Sequence, residues 1–313
     1  MLDRRLITVF GGAGFLGRHI VRRLARDGWI IRVAGRDRDR ALFLKIYGDP
    51  GQVVPILTDI TRPESVVSAV IDADAVINLV GILAPSGRNS FDAVHAQGAA
   101  NVAAAARDAG ASRLIQVSAI GADPNSPSVY ARTKAAGEQA AKSAFPDVTI
   151  LRPSVVFGPE DDFFNRFARL ARVLPVLPTF ETKVQPVYVG DVADAAIKVL
   201  DDPATRGKTY ELGGPRVMTY REVMEIVLRE TGRKRLLVPL PLSIAAMEAW
   251  FLEKLPKPIL TRDQVKLLGI DNVVSAKALG LKDLGIPATA VEAIVPSYLG
   301  AYMPPVKQSL RGL

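Results

Sequence analysis

The sequence of 313 residues contains no cysteine and only two histidines, His19 and His95. The absence of cysteine excludes disulfide bonds, thiolate nucleophiles and sulfur-ligated metal sites. The two histidines do not form a metal-ligand pattern. We therefore expect no metal site and no cysteine chemistry.

Long hydrophobic runs are also scarce. The longest apolar helical stretch, Leu242 to Leu255, carries Glu248, Glu253 and Lys254 and is shorter than the roughly 30 Å bilayer core at about 1.5 Å per residue. The chain begins MLDRR and enters a predicted strand at once, which leaves no room for a signal or transit peptide. These features predict a cytoplasmic protein, with the cytoplasmic face of the inner membrane as a further option.

Positive charge is in modest excess. Lys and Arg number 40 against 32 acidic residues, a net charge of +8, which suits nucleotides, anionic lipids or an acidic partner. The basic residues are dispersed except in RRLARDGWIIRVAGRDRDR, which lies beside the nucleotide site described below. Because no zinc-finger or RNA-binding signature is present, nucleic acid is not an expected partner.

Short apolar runs alternate with helical patterns from the start of the chain. The predicted strands cover 6–10, 29–34, 52–57, 75–80, 113–118 and 148–153. Runs that are apolar on both faces and separated by helices predict a parallel sheet between two layers of helices. The predicted fold class is therefore α/β, with a Rossmann-type doubly wound parallel sheet.

The stretch GGAGFLG, residues 11–17, lies between the first strand and the first helix. It can be aligned as Gly12-x-Gly14-x-x-Gly17 or as Gly11-x-x-Gly14-x-x-Gly17. Glycines let the backbone turn tightly and approach a pyrophosphate, whose charge is stabilised by the free amides at the helix N-terminus. The alternative is a tight turn without a ligand, but the flanking strand and helix favour dinucleotide binding.

The end of the second strand indicates which dinucleotide is bound. An NAD site usually has an acidic residue about 20 residues after the glycines, where it binds the ribose 2′-hydroxyl. Here the sequence is RVAGRDRDR, with Arg36 at that point. Because a guanidinium suits a 2′-phosphate, NADP(H) is favoured over NAD(H). The alternative is that Arg36 is a solvated surface residue and Asp37 binds the ribose.

The regular alternation of strands and helices ends after Phe157, where segments that contain proline alternate with predicted helices and short strands. The later segment KVQPVYVGDVADAAIKVL returns to a strand followed by a helix. We therefore predict a dinucleotide-binding domain over 1–157, with 183–205 returning to it as one more unit of the sheet. A smaller, interleaved lobe over 158–313 would bind a substrate or partner at the carboxyl ends of the strands.

A candidate catalytic pair lies in SVYARTKAAGE. Tyr130 and Lys134 are four residues apart and share one face of a predicted helix. A nearby ammonium lowers the pKa of a tyrosine from about 10, so Tyr130 could exchange a proton with a substrate while hydride moves to or from nicotinamide. Ser118, at the end of the fifth strand, is the third candidate catalytic residue.

With the glycine turn and this pair, the chain resembles the extended or atypical short-chain dehydrogenase/reductases over nearly its whole length. The resemblance implies an epimerase/dehydratase-like fold with a bound dinucleotide. It also implies the following contacts: Gly11, Gly14, Phe15, Leu16 and Gly17 in the phosphate cradle, Arg36 at the ribose, Asp59 and Ile60 at the adenine, Leu79, Val80 and Gly81 as a wall, and Tyr130, Lys134, Pro153 and Val156 near the nicotinamide.

Two positions depart from the family pattern. A hydroxyl residue usually follows the fifth strand, but QVSAIGAD has Ala119 there, and strand alternation points Ser118 to the other face. Loss of such a positioned donor typically costs about a hundredfold or more in rate. His95 stands where many relatives have an asparagine; we expect it to be a core residue, with a proton relay as the alternative.

Three later stretches resemble a narrower group, the NADPH-binding accessory subunits of respiratory complex I (alpha subcomplex subunit nine) and their bacterial relatives. The stretches are VVFGPEDDFFNRFARL, QPVYVGDVADA and LTRDQVKLLGIDN with the LGLKDLGIPATAVE that follows it. This resemblance implies a tightly held NADPH, a structural or assembly role, and complex I subunits as partners.

Two main functions remain open, an NADP(H)-binding protein linked to complex I and an NADPH-dependent reductase or isomerase of a small apolar carbonyl or quinone-like compound. A third is a sensor whose partner affinity depends on the redox state of the dinucleotide. The apolar stretch LPLSIAAMEAWFLEKLPKPI is expected to be core or lid. Its alternative is a peripheral membrane contact, with Lys254, Lys257, Arg262 and Lys266 near lipid headgroups.

Overall fold

The computed structural model describes residues 5–253 and 260–304. The strands are β1 Leu6–Phe10, β2 Ile30–Gly35, β3 Val53–Leu57, β4 Ala75–Asn78, β5 Arg113–Val117, β6 Thr149–Pro153, β7 Val156–Phe157, β8 Val176–Thr179, β9 Lys183–Val184, β10 Val187–Tyr188, β11 Thr209–Leu212, β12 Met218–Thr219 and β13 Leu236–Pro239. The helices are α1 Phe15–Arg26, α2 Pro63–Val70, α3 Gly98–Asp108, α4 Val129–Ala144, α5 Phe164–Val173, α6 Val189–Asp201, α7 Tyr220–Glu230, α8 Leu242–Leu252, α9 Arg262–Leu267, α10 Val291–Ile294 and α11 Pro296–Leu299. Short 3-10 helices cover Asp39–Tyr47, Pro203–Thr205, Lys282–Leu284 and Gly300–Tyr302, and a π-helix covers Asp92–Gln97.

Seven strands form one parallel sheet in the order β11-β6-β5-β4-β1-β2-β3. The chain runs outward from β1 to β3 and then crosses back to β4, so the strand order reverses beside β1, where ligands bind in open α/β sheets. All neighbouring strands in this sheet are parallel, so their carboxyl ends lie at one edge. The predicted Rossmann-type fold is confirmed.

The first six strands follow the predicted apolar runs closely. The central strands β4 and β5 are buried at every position. Helices cover both faces of the sheet, which is why these strands have no solvent-exposed face. One face packs against α1 and α6, and the other packs against α2, α3 and α4.

The seventh strand of the sheet is not the predicted one. Helix α6 of the segment 183–205 does pack on the sheet, but β10 pairs with β7 in a separate two-stranded sheet. The outer position beside β6 is filled by β11, which contains the charged residue Glu211. Glu211 is buried because Arg152 of β6 lies 3.4 Å from its carboxylate and Ser275 donates its amide to it. Because this short strand contains a charged residue, it is not an apolar run, and the sequence pattern does not predict it.

A further hydrophobic core lies in the region predicted to form the smaller C-terminal lobe, and it is built from α5, α7, β8 and the segment containing α10 and α11. Asp161 joins these parts, because its carboxylate accepts hydrogen bonds from the amides of Gly158, Phe163 and Asn165 and from the Tyr298 hydroxyl at 2.6 Å. The division into domains at 157 and 158 stays a prediction.

Helix α8 is mostly apolar, with Ser243 and Glu248 as its polar residues, and it has no separate polar face of the kind that the amphipathic helices of the sheet domain have. Its Ala245 and Ala249 pack against Val265 of α9, while Met247 and Phe251 are each 61% exposed. No helix in the described part of the chain is long and apolar enough to cross a bilayer. Lys254 and Lys257, which the alternative of a membrane contact would bring near headgroups, fall outside the described residues.

Candidate functional site

The phosphate turn follows β1 and depends on glycine at two points. Gly11 has φ +77°, a left-handed conformation that favours glycine, and its amide donates to Ala34 of β2. At Gly17, a Cβ atom would lie 2.5 Å from the carbonyl oxygens of both Gly11 and Gly12. Any larger residue at Gly17 would therefore push α1 away from the end of β1.

The N-terminus of α1 has the geometry of an anion site. Its N-cap is Gly14, which supplies no capping side chain, and its first turn contains no acidic residue. The first amides of an α-helix have no partner within the helix and carry the positive end of the helix dipole. Phe15 and Leu16 begin the helix, with Leu16 packed against the sheet core. The turn therefore fits a pyrophosphate.

The residues after β4 lie against this turn. A Cβ atom on Gly11 would be 3.3 Å from Cγ2 of Val80, and Leu79 donates its amide to Phe10 of β1. The amide of Val80 is held by the Asn78 side chain at 3.1 Å. The predicted cradle and the predicted wall are therefore direct neighbours.

The ends of β2 and β3 hold Arg36 and Asp59. The Arg36 side chain is exposed, whereas Asp37 accepts the amides of Asp39 and Arg40 at 3.0 and 3.2 Å and so caps the 3-10 helix that follows. Burial raises the pKa of Asp59, but the hydrogen bonds from Thr61 and the nearby Arg62 and Arg36 outweigh it and hold that pKa below its usual range. Arg36 and Asp59 are therefore close enough to interact electrostatically.

The adenine side of the candidate site continues from Asp59 into Ile60. Ile60 is buried, and its carbonyl accepts a hydrogen bond from the Asn101 side chain of α3 at 2.8 Å. This contact holds the loop after β3 against the helical layer that contains α3. The backbone at Asp59 and Ile60 is thus fixed at the same edge of the sheet as the phosphate turn.

Helix α4 carries Tyr130 and Lys134 against the ends of β4 and β5. The Lys134 ammonium is buried and donates to the carbonyl of Val117 at 3.1 Å, and burial lowers its pKa to about 8, opposed by the charge of Glu138. A Cβ atom on Gly81 would lie 3.7 Å from Lys134 Nζ. Tyr130, Lys134 and Gly81 therefore belong to one cluster.

The prediction that Lys134 lowers the pKa of Tyr130 is wrong. We expected the ammonium of Lys134 to lower that pKa, but burial raises it to about 12. Desolvation disfavours the charged phenolate, and the Lys134 ammonium donates to the backbone carbonyl of Val117. Tyr130 is therefore fully protonated at neutral pH.

His95 lies in the π-helix and is a structural residue of this cluster. The amide of Ile82 donates to its Nε2 at 3.0 Å, which leaves Nδ1 protonated and facing Thr133 Oγ1 at 3.1 Å. Its ring packs edge-to-face on Tyr130, with the centroids 5.3 Å apart. Burial and the charge of Lys134 lower the pKa of His95 to about 3, so the ring is neutral at neutral pH.

The remaining predicted residues lie at the ends of β5 and β6. Ser118 is buried, and its Oγ has no hydrogen-bond partner among the described residues. Pro153 ends β6 and accepts the amide of Ile120 at 3.0 Å. Val156 lies outside the seven-stranded sheet, in β7, which pairs with β10. A buried hydroxyl without a partner, such as that of Ser118, fits a site that receives a polar group. The close approach of α1 to the turn at Gly17 fits the same kind of site, because it aligns the free amides of the helix.

No group of His, Asp and Glu residues in the described ranges has an arrangement suited to a metal ion. Sequence reasoning missed two residues that reach this edge from the C-terminal lobe. Asp263 accepts hydrogen bonds from the N-terminus of α4, and Asn272 bonds to Ser154 and to the Ile120 carbonyl. Both lie within LTRDQVKLLGIDN, a stretch that resembles the complex I accessory subunits but in which no local pattern indicates a contact with α4 or with the strand ends.

Comparison with known proteins connects this geometry to a family and to named relatives. A family model described as the NAD dependent epimerase/dehydratase family matches residues 7–213. The 40 kDa subunit of mitochondrial NADH-ubiquinone oxidoreductase from Neurospora crassa is 38% identical over 94% of this chain and 79% of its own length. Alpha subcomplex subunit 9 of mitochondrial NADH dehydrogenase from Arabidopsis thaliana is 40% identical over 89% of this chain and 73% of its own. The predicted resemblances are confirmed.

Another relative is named as an enzyme. The ceramide reductase of Caulobacter vibrioides is 32% identical over 79% of this chain and 78% of its own length. Among solved structures, an NADPH-dependent quinone oxidoreductase from Escherichia coli superposes with a TM-score of 0.74, covering 94% of this chain and 99% of that one at 20% identity. At that identity the superposition establishes the fold alone.

The predicted cytoplasmic location is wrong. The relatives from Neurospora crassa and Arabidopsis thaliana are mitochondrial proteins, which contradicts it. The prediction had relied on the first residues of the chain and on its short apolar runs, and neither of these features identifies a compartment.

Neutral His95 predicts a specific loss of stability in acid. The unfolded chain binds a proton on this histidine near pH 6.5, and the folded chain does so only near pH 3, so acid favours unfolding between these values. We expect wild-type protein to lose about 2 kcal/mol more unfolding free energy than His95→Gln between pH 7 and pH 5. Urea denaturation at both pH values measures this difference, and an equal loss in the two proteins would contradict it.

Proposed function

This chain belongs to the NAD dependent epimerase/dehydratase family, and we propose that it holds NADP(H) in a structural or assembly role linked to respiratory complex I. The observation that carries the proposal is the identity of 38% and 40% to complex I subunits over about nine-tenths of the chain. The glycine cradle, the wall after β4 and the buried Lys134 are the parts that would hold the dinucleotide.

The preference for NADP(H) rests on the loop after β2. Asp37, the residue that would otherwise accept the ribose 2′-hydroxyl of NAD(H), has its Oδ1 occupied by two backbone amides of the 3-10 helix. Arg36 is exposed at the end of β2, where its guanidinium would meet a 2′-phosphate. Because the Asp37 carboxylate accepts these amides and the Arg36 guanidinium beside it is exposed, this loop favours NADP(H).

The holding role rests on the chemistry around Tyr130. Ala119 supplies no hydroxyl at the position where this family usually has one. Burial raises the pKa of Tyr130 to about 12, so its hydroxyl stays protonated, a state that suits a hydrogen bond to a ribose and proton donation alike. His95 is neutral, with both ring nitrogens facing polar partners, and does not act as a base here. Tyr130 and Lys134 would therefore bind the nicotinamide ribose. A dinucleotide held this way stabilises the fold by about 2.7 kcal/mol at a hundredfold excess over its Kd.

Arg36→Ala tests the cofactor assignment. Because the substitution removes a charged contact to the 2′-phosphate, we expect the Kd for NADPH to rise by about tenfold or more while that for NADH is unchanged. Isothermal titration calorimetry measures both. Arg26→Ala, at the opposite end of α1, is the control and should bind both dinucleotides like wild type. Equal effects of Arg36→Ala on NADPH and NADH would rule out this role for Arg36.

The second candidate function is an NADPH-dependent reductase of an apolar carbonyl or quinone-like compound. It is favoured by the 32% identity to a protein named ceramide reductase and by the presence of both Tyr130 and Lys134. NADPH supplies a hydride when bound. In this function the protonated Tyr130 hydroxyl would donate a proton to the substrate oxygen, and Lys134 would hold the ribose.

Tyr130→Phe separates the two functions. If the protein acts by holding NADP(H), the amount of complex I assembled in a host strain that lacks it should follow the NADPH affinity of the variant it expresses. Tyr130→Phe, which loses one neutral hydrogen bond to the ribose, should then restore more assembled complex I than Arg36→Ala, which loses a charged contact. Native gel electrophoresis quantifies the assembled complex. Purified wild-type protein that oxidises NADPH with a long-chain ketone or a quinone, and loses this activity in Tyr130→Phe, would instead establish the reductase.

We also propose that α8 makes the peripheral membrane contact. Its exposed Met247, Trp250 and Phe251 form an apolar surface, and α9, which packs against it, carries Lys266 and also Arg262, whose guanidinium is paired with Glu253 at 2.7 Å. Apolar side chains beside basic ones suit the interface of a bilayer that contains anionic lipids. The surface of an anionic bilayer is therefore the proposed partner of α8.

Vesicle sedimentation tests this contact. Wild-type protein should sediment with vesicles of phosphatidylcholine and phosphatidylglycerol, and the double variant Met247→Ser/Phe251→Ser should bind them about tenfold more weakly because two buried apolar side chains are lost. Val67→Ser, at an exposed apolar position on α2, is the matched control. Equal sedimentation of wild type and the double variant would exclude α8 as the membrane contact.

A further inference from the structure

A carboxylate from the C-terminal lobe holds the start of α4. Asp263 is the second residue of α9, and its side chain accepts hydrogen bonds from the amide of Val129 at 2.7 Å and the amide of Tyr130 at 3.1 Å. It also accepts the hydroxyl of Ser128 at 2.8 Å. These partners are 133 to 135 residues away along the chain.

This contact completes the capping of α4. The first amides of a helix have no partner within the helix. Ser128, the N-cap, accepts only the amide of Ala131, which leaves the amides of Val129 and Tyr130 to Asp263. A carboxylate at this end of a helix also interacts favourably with the helix dipole. The position of α4 along its axis therefore depends on a residue of the other lobe.

A second side chain of the same segment reaches the neighbouring strand ends. Asn272 accepts the hydroxyl of Ser154 at 2.6 Å and donates to the carbonyl of Ile120 at 3.3 Å. Ser154 follows β6, and Ile120 lies two residues after Ser118. The segment 260–272 is thus attached both to the helix that carries Tyr130 and to the loops after β5 and β6.

We propose that Asp263 is a positioning residue that sets Tyr130 and Lys134 for the nicotinamide end of the dinucleotide. The inference rests on the proposed binding of NADP(H). Tyr130 lies in the first turn of α4 and Lys134 in the next turn, so a shift at the start of the helix moves both. The adenine end, at Arg36 and the glycine turn, is built on other elements. The segment 260–272 therefore controls one half of the site and leaves the other half unchanged.

Two ligands distinguish the adenine end of the site from the nicotinamide end. Adenosine 2′,5′-bisphosphate occupies only the adenine end, whereas NADPH occupies both. In Asp263→Asn, which removes the charge and one acceptor but keeps the shape, we expect the affinity for NADPH to fall about tenfold and that for adenosine 2′,5′-bisphosphate to stay unchanged. Asp271→Asn is the matched control, because Asp271 lies in the same segment and, within the described ranges, its carboxylate accepts the amide of Lys183 at 2.8 Å and no amide of α4.

A double-mutant cycle tests whether Asp263 acts through the residues on α4. In a Tyr130→Phe/Lys134→Met background the additional loss of NADPH affinity from Asp263→Asn should largely disappear, since both groups that it positions are already absent. Additive losses would overturn the proposal, as would weakening of both ligands or unchanged NADPH affinity in Asp263→Asn. Unchanged binding of adenosine 2′,5′-bisphosphate also reports that the variant is folded. If wild-type protein binds neither ligand, the proposed NADP(H) function fails together with this inference.

Discussion

The contact between the first turn of α1 and the end of β1 is the constraint on which the site depends. Gly17 has no room for a Cβ atom beside the carbonyl oxygens of Gly11 and Gly12. Gly11 in turn lies against Val80 after β4, so the phosphate turn and the neighbouring loop form one packed unit. A helix displaced from this position would lose both the alignment of its free amides and the wall beside them.

Burial sets the charge states on the other side of the site. The same desolvation that lowers the pKa of Lys134 to about 8 raises that of Tyr130 to about 12 and lowers that of His95 to about 3. These shifts keep Tyr130 and His95 neutral at pH 7, whereas Lys134 stays mostly charged, and both a hydroxyl and an ammonium can hold a ribose through hydrogen bonds. Ala119, in place of a hydroxyl residue, favours a site that retains a dinucleotide.

Much of the sheet and most of the candidate site could be predicted from the sequence. Strands β1 to β6 are apolar runs, and the candidate residues directly follow them, so a local pattern locates both. Strand β11 was missed because Glu211 is buried only through its pairing with Arg152 of β6. The core position of His95 was predicted, but its hydrogen bond with Ile82 was not, and Asp263 was missed, because these contacts depend on the π-helix or on partners far along the chain that no local pattern encodes.

The dinucleotide that accompanies the protein from its own host tests the central claim most directly. Protein purified under native conditions would be denatured, and the released nucleotides would be identified and quantified by mass spectrometry. A held cofactor with a 2′-phosphate predicts stoichiometric NADP(H) with only traces of NAD(H). Release of NAD(H) in its place, or of no dinucleotide at all, would contradict the claim that this chain holds NADP(H).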